Sequence, residues 1–408
     1  MKDSGVQWIG LIPDDWEIVR FKFTHQGSNV GESIDKNFCA ENEGDIVFYT
    51  AGLNPIMTNY KDFPIWKYTD SRDLLLARNG TPYVYLPTKQ AAYSDHIIRV
   101  KIQDGYSKRF IRYCLQQSIK NEVVDTVSIT TWSVPIWDSQ YLCIPSYSQQ
   151  QKIADFLDKK CSEIQSAIDN TKQTIEEYKK LKQAVITKAV TKGIRENRKL
   201  KDSGIEWIGQ IPEEWECRRI KTLFNLRSEK NYLPLEQVNL ISLYTDLGVV
   251  QHADIEQTTG NKAMNADGYK KVYKDDIVVN IILCWMGAIG RSAYNGVTSP
   301  AYDVYQPQEN VNSSFYHYYF RTKGFNGDCF KCGKGIMLMR WRTYSDYFRD
   351  IRVVAPSAEE QIEIVNYLDK KCSQIDTLIS QKEQFITELE KYKQSLIYEY
   401  VTGKKEVK

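Results

Sequence analysis

The chain has 408 residues, enough for two or three domains with separate cores. Its hydrophobic fraction of 42% and charged fraction of 26% are those of a soluble globular protein; no apolar run is long enough to span a membrane, the polar N-terminus argues against a secretory signal, and nine scattered cysteines suit a reduced cytoplasmic setting. The net charge of +2, from 54 basic and 52 acidic side chains, excludes a globally basic nucleic-acid binder, so any such role must come from local patches or be shared with a partner.

The first recognisable phrase is "KDSGVQWIGLIPDDW" from Lys2, and it returns as "KDSGIEWIGQIPEEW" from Lys201. Asp14–Asp15 and Glu213–Glu214 follow Pro13 and Pro212 and read as acidic first turns of helices rather than as catalytic carboxylates. Short β-branched and aromatic runs come next: "EGDIVFYTAGLNPIM", "DSRDLLLARNGTPYVYL" and "SDHIIRVKI" predict strands, with a short helix near Arg109–Gln117. Within them "ARNGTPY" (Ala77–Tyr83) puts Arg78, Asn79, Thr81 and Tyr83 in a tight turn, as base-contacting candidates or as a plain hairpin. Thr131 and Trp132, in "SITTWSVP", are further candidates.

Pro145 and a capping Ser148 precede a long helix that Gly193 ends. Its apolar or small residues Ile153, Leu157, Cys161, Ile164, Ile168, Thr171, Ile175 and Tyr178 fall at steps of three and four, the seam of a coiled coil. At 1.5 Å per residue it measures about 60 Å. The charged linker "GIRENRKLKDS" then leads into the second opening phrase.

The second half repeats the plan. "YKDDIVVNIILCWMGAIGRSAY" and "FRDIRVVAPS" predict strands, with a short helix near Ser314–Thr322. "CWMGAIGRS" (Cys284–Ser292) is the positional counterpart of the Arg78 turn and makes Arg291 a candidate. Tyr318–Arg352 interleaves basic and aromatic residues, from which Lys331, Lys334, Arg340, Trp341 and Arg342 are drawn, with Trp132 as the counterpart of Trp341; an edge strand with solvated arginines is the alternative. Pro356 and Ser357 open a second long helix with a seam at Ile364, Leu368, Ile375, Ile379, Ile386 and Leu389, which Gly403 ends. "IPSYSQQQKIADFLDKKCSEI" and "APSAEEQIEIVNYLDKKCSQI" begin the two helices, and antiparallel pairing of the helices would bury both seams.

Catalytic motifs are missing. "GDCFKCGKG" has the wrong spacing for a phosphate-binding loop, no dinucleotide-binding glycine pattern follows a strand, and the aromatic Pro-Pro motif of amino-methyltransferases does not occur. The four histidines have no metal or triad spacing, and Cys329 and Cys332 form a lone C-x-x-C without a second pair, so no metal site is expected. "EEYK" (Glu176–Lys179) reads as a solvated helix face.

The two opening phrases and the two helix starts resemble those of the DNA-specificity subunits of type I restriction–modification systems, over the whole chain and in the same order. The resemblance implies an α+β fold: two α/β target-recognition domains (1–147 and 201–356) separated by long helices (148–192 and 357–402) that pair as an antiparallel coiled coil, a pseudo-twofold internal repeat with a linker at 193–200 and a tail at 403–408. It also implies a non-catalytic subunit. Each domain would read one half of a split site on double-stranded DNA, and the helices would set the spacer and dock two methylation subunits. This chain would bind no cofactor; S-adenosylmethionine would serve adenine methylation on those partners, with ATP and Mg on the restriction/translocase subunits. The alternative from another class is a coiled-coil scaffold that binds protein partners and no DNA.

Overall fold

The computed structural model describes residues 1–33, 44–60, 63, 67–120, 131–254, 265–336 and 341–407. The chain divides into two compact units, residues 1–172 with 383–408, and residues 173–382.

In the first unit the opening phrase folds as a small ladder, Lys2–Asp3 against Leu11–Ile12. The Asp3 carboxylate accepts the Gly5 N–H at 3.0 Å, and Gly5 and Gly10 sit at φ of 68° and 66°, left-handed values that glycine adopts without penalty. The Trp16 N–H then closes a turn onto the Pro13 carbonyl at 3.1 Å. The strand Glu17–Arg20 follows at once and pairs with Tyr141–Ile144, so the Pro-acid-acid-Trp segment is a β-turn and not the expected helix start. The second phrase behaves alike, with Leu200–Asp202 against Gln210–Pro212 and the Trp215 N–H on the Pro212 carbonyl at 3.0 Å.

The globular part of the first unit is built on an antiparallel sheet in the order His25–Val30, Ile97–Ile102, Asp73–Ala77, Val84–Tyr85. Because side chains alternate along a strand, "DLLLA" is buried on both faces. Leu74 and Leu76 join the main core with Phe110, Ile111 and Leu115 of helix α1 (Lys108–Lys120). Leu75 and Ala77 turn to a second cluster with Tyr49 and Tyr93, which belong to a three-stranded sheet of Ile56–Thr58, Ile46–Tyr49 and Ala91–Tyr93. Helix α2 (Val134–Asp138) buries Trp137, and α3 (Tyr147–Lys192) follows.

The second unit repeats this order: Phe224–Leu226, Tyr302–Pro307, Ile277–Asn280, Ile289–Arg291. Helices α4 (Ser313–Phe320) and α5 (Lys323–Cys332) cover it, α6 (Ser345–Asp350) takes the place of α2, and Arg352–Ala355 pairs with Glu216–Arg219 before α7 (Ala358–Val401). Two segments with little sequence in common thus share one sheet topology.

Each unit contains stretches of both α3 and α7. In the first, Phe156 and Tyr400 pack at a tilt with ring centroids 4.5 Å apart and Lys393 donates to Gln165 at 3.0 Å; in the second, Lys182 donates to Asp376 at 2.7 Å. Within the first unit one number rises as the other falls, so the segments are antiparallel there. Of the expected seam, Ile153, Leu157, Ile164, Ile168, Ile175, Ile364, Leu368 and Ile375 are buried, whereas Tyr178, Ile379, Ile386 and Leu389 are half-buried. Ile153 and Leu157 share the main core of the first unit, and Ile364 and Leu368 that of the second. The N-terminal third of each helix is therefore also a wall of the globular part that precedes it.

The caps correct one expectation. Ser146, and not Ser148, opens α3: its hydroxyl accepts the Gln149 N–H and the Gln149 side chain accepts the Ser146 N–H at 3.2 Å, a reciprocal capping box. Ser148 lies already inside the helix. Ser357 caps α7 through the Glu360 N–H at 3.3 Å. Gly193 and Gly403 end the helices at φ of 74° and 69°. The linker is pinned rather than loose: Arg195 pairs with Glu363 at 2.8 Å, and Arg198 pairs with Glu360, both largely buried.

Candidate nucleic-acid interface

The turn after Asp73–Ala77 is the best-formed of the expected sites. Arg78 is held at both backbone ends, its N–H donating to the His96 carbonyl at 2.8 Å and its carbonyl accepting the Trp132 N–H at 2.6 Å. The guanidinium is exposed and, among the described residues, donates to the Asp95 carbonyl at 3.3 Å. The Asn79 side-chain amide lies 2.8 Å from His96 Nδ1, and Asn79 and Thr131 form a β-bridge. Gly80, at φ 72°, turns the chain; Thr81 is exposed and its carbonyl accepts the Tyr83 N–H at 2.8 Å. Arg78, Asn79, Thr81, Tyr83 and Thr131 thus come together on one rigid turn.

Trp132 belongs to it in a different role. The indole is buried at 4% exposure, its N–H donates to the Gly80 carbonyl at 2.8 Å, and its ring lies 6.3 Å from that of Trp137. A buried ring offers no face to a base, so Trp132 shapes the turn from below. Beneath it opens a cleft of about 770 Å³ bordered by Thr81, Tyr83, Lys120, Gln165 and Lys393.

In the second unit the expected residues separate into two places. Arg291 lies on the strand Ile289–Arg291 opposite Ile277, at the far end from the turn, with its Nε on Asp275 at 2.6 Å. The backbone position that matches Arg78 is Ile281, whose carbonyl accepts the Thr343 N–H at 2.8 Å as the Arg78 carbonyl accepts that of Trp132. The counterpart of Trp132 is therefore Thr343, not Trp341, because two residues of register separate them. Arg291 instead covers His317, whose Nδ1 accepts the Arg291 N–H at 3.1 Å; burial, with the Arg321 and Arg291 guanidiniums, pushes the imidazole down to about 4.

The other candidates gather at the end of α5. Trp341 stacks on Phe330 at 4.9 Å and packs closely over Gly333, and a β-bridge joins Lys334 to Arg342. Lys334 lies 4.2 Å over the Tyr347 ring and bonds its hydroxyl. Lys331 is drawn instead to Glu206 of the opening phrase, at 2.7 Å. Arg340 lies outside the described residues. Cys329 of the C-x-x-C is buried and hydrogen-bonded to the distant Cys284, which holds the Cys284 thiol below its usual range while burial raises that of Cys329. Among the described residues no three His, Cys, Asp or Glu side chains converge as a metal site.

Residues that position the site were missed by sequence reasoning. Asp158, in "FLDKKC", accepts the Tyr113 hydroxyl at 2.7 Å together with Arg109 and Arg112; Asp369, in "YLDKKC", accepts the Tyr318 hydroxyl at 2.7 Å. Gln150 and Gln361 each donate to the preceding proline carbonyl at 2.9 Å and accept, at 2.8 Å, the N–H of Ser107 or Asn312. These side chains hold each long helix to the short helix of the globular part that precedes it. Their signal was available, since each lies in the repeated helix start.

A family model described as "Type I restriction modification DNA specificity domain" matches the chain twice, over residues 13–179 and 212–388. The chain belongs to that family. It is a DNA-targeting chain of a restriction–modification system and not a catalyst. Among curated relatives, the type I restriction enzyme EcoDI specificity subunit of Escherichia coli is 23% identical, covering 97% of this chain and 89% of that one. The type I restriction enzyme MjaVIII specificity subunit of Methanocaldococcus jannaschii is 22% identical, with 97% and 94% covered. Among solved structures, a chain from work on assembly and conformational transition of the type I R-M system superposes with a TM-score of 0.68 at 11% identity, covering 96% of this chain and 98% of that one. The HsdS subunit of Thermoanaerobacter tengcongensis superposes with a TM-score of 0.52 at 13% identity, with 96% and 98% covered. These likenesses show that the two-domain α+β fold is shared. No helix among the described residues is long and apolar enough to cross a membrane.

Proposed function

We propose that each recognition domain reads one half of a bipartite DNA site, and that α3 and α7 pair antiparallel along their whole length as a coiled coil that sets the spacer. The observation that carries this reading is the repeat itself. One sheet topology occurs twice with unlike surface residues, between helix starts and opening phrases that are nearly the same. Shared words suit common partners, and unshared words suit two different half-sites. Helices of 46 and 44 residues, about 69 and 66 Å long at 1.5 Å per residue, exceed one DNA turn of about 34 Å, as a spacer element requires.

In this reading the helices also dock two methylation subunits, which use S-adenosylmethionine to modify an adenine in each half-site. Restriction/translocase subunits that use ATP and Mg join through them, in the cytoplasm. The near-neutral net charge of +2 fits a chain whose partners supply much of the phosphate contact. Exchange of residues 201–356 for another recognition domain, followed by mapping of methylated adenines, should change one half of the site only. A change in both halves, or in neither, refutes the assignment. Deleting seven residues from one helix should shorten the spacer; an unchanged spacer refutes that part alone.

A further inference from the structure

The two recognition domains present the same turn with opposite chemistry. The turns are equivalent by strand order and by the matched bonds from Trp132 to Arg78 and from Thr343 to Ile281. In the first domain the turn offers hydrogen-bonding side chains, Arg78, Asn79 and Thr81. In the second it reads Ile281-Ile282-Leu283-Cys284-Trp285-Met286, with no charged side chain.

Leu283 and Met286 are 38% and 51% exposed at this turn. Their backbone is nonetheless rigid. The Asn280 side-chain carbonyl accepts the N–H groups of Ile282 and Leu283 at 3.0 and 3.3 Å, and the Trp285 indole donates to the Ile282 carbonyl at 2.9 Å. Gly287, at φ 95°, ends the turn, and Arg321 donates to the Ile289 carbonyl at 3.2 Å. Trp285 packs on Phe330 at 5.5 Å, which leads to Trp341 and to the bridged Lys334 and Arg342. The backbone that carries these two large apolar side chains is therefore already ordered, beside a cationic rim, so the ordering left to binding is that of the side chains alone.

A cationic rim complements phosphates, and the one apolar group on the major-groove edge of a base pair is the thymine C5-methyl. We propose that Leu283 and Met286 read thymine through contact with this methyl group, so that the second domain selects its half-site by apolar contact and the first by hydrogen bonds. The proposal rests on the reading above that these turns face DNA.

The test uses the full chain assembled with its methylation subunits, on a site mapped by adenine methylation, with the half read by the second domain identified by exchange of residues 201–356. Each thymine is replaced in turn by deoxyuridine, which lacks only the methyl. At least one replacement in that half should weaken binding roughly fourfold, the factor for about 0.8 kcal/mol per buried methyl-sized group. The Leu283→Ala, Met286→Ala variant, with an unchanged melting temperature, should bind the thymine and uracil duplexes equally. Indifference to deoxyuridine throughout that half, while Arg78→Ala still relaxes the other half, overturns the thymine proposal and leaves the DNA-facing turns standing. Indifference of binding to both Arg78→Ala and the double variant overturns the broader reading as well. A double variant that fails to assemble with the methylation subunits before DNA is added identifies a protein dock and also overturns the proposal.

Discussion

The hydroxyl of Tyr113 donates a 2.7 Å hydrogen bond to Asp158, and 2.7 Å is also the distance from Tyr318 to Asp369. The two pairs tie the first short helix of each recognition domain to the same word of each long helix. In both, burial is the main cause that raises the tyrosine well above its usual range, so each phenol stays a donor.

Asp158 also receives Arg109 and Arg112, whereas among the described residues no arginine joins Asp369. Asp158→Ala should therefore destabilise by more than Asp369→Ala, toward the upper and lower ends of the about 1.5–3 kcal/mol that hydrogen bonds to charged groups contribute. Thermal melting of the two variants checks the order.

Gly403, at φ 69°, faces Pro13, and a Cβ there would lie 2.5 Å from the proline Cδ. Gly403→Ala combines left-handed strain, about 1–2 kcal/mol, with a clash that only backbone movement relieves. Gly10→Ala, at φ 66° with nothing nearer than the Lys404 Nζ at 3.8 Å, carries the strain alone. Denaturant midpoints should rank Gly403→Ala clearly below Gly10→Ala.

Arg78 and Trp132 share a turn and should fail differently. Arg78→Ala should leave the fold within about 0.5 kcal/mol and cost roughly 1–3 kcal/mol of discrimination at one half-site. Trp132→Ala removes a buried indole and should cost about 3–5 kcal/mol of stability. Melting curves and binding competition on the same preparations separate the two.

His317 gives the second unit a pH dependence. Its folded pKa of about 4 lies below the ordinary 6.5, so the unfolded chain takes up the proton first as pH falls. The stabilisation is complete above 6.5, decreases as pH falls, and is lost through 4. At about 1.36 kcal/mol per unit it amounts to roughly 3 kcal/mol. His317→Gln should flatten the stability profile over that window, measured by denaturant titration at a series of pH values.

The strands were legible in sequence as short apolar runs between turn residues, "DLLLA" among them, and the long helices by the three-to-four period of their seams. The opening phrase was misread at Asp14–Asp15 because Pro followed by acids signals a helix start as well as a turn, and only the pairing of Glu17–Arg20 with Tyr141–Ile144 decides. Trp132 was read as a contact because an aromatic beside threonines has no period to reveal its burial. Arg291 was matched to Arg78 by counting residues, and counting fails where two turns differ in length.

What this sequence determined by itself was its plan: a word said twice, two seams, two glycine stops, and through them the family. Those features are local, since each depends on residues within a few turns of one another. Tertiary structure alone decided which side chains stand exposed at these turns. It buried Trp132, moved Arg291 to the far end of its strand and left Leu283 and Met286 exposed, because exposure at a turn is set by what packs beneath it from distant parts of the chain.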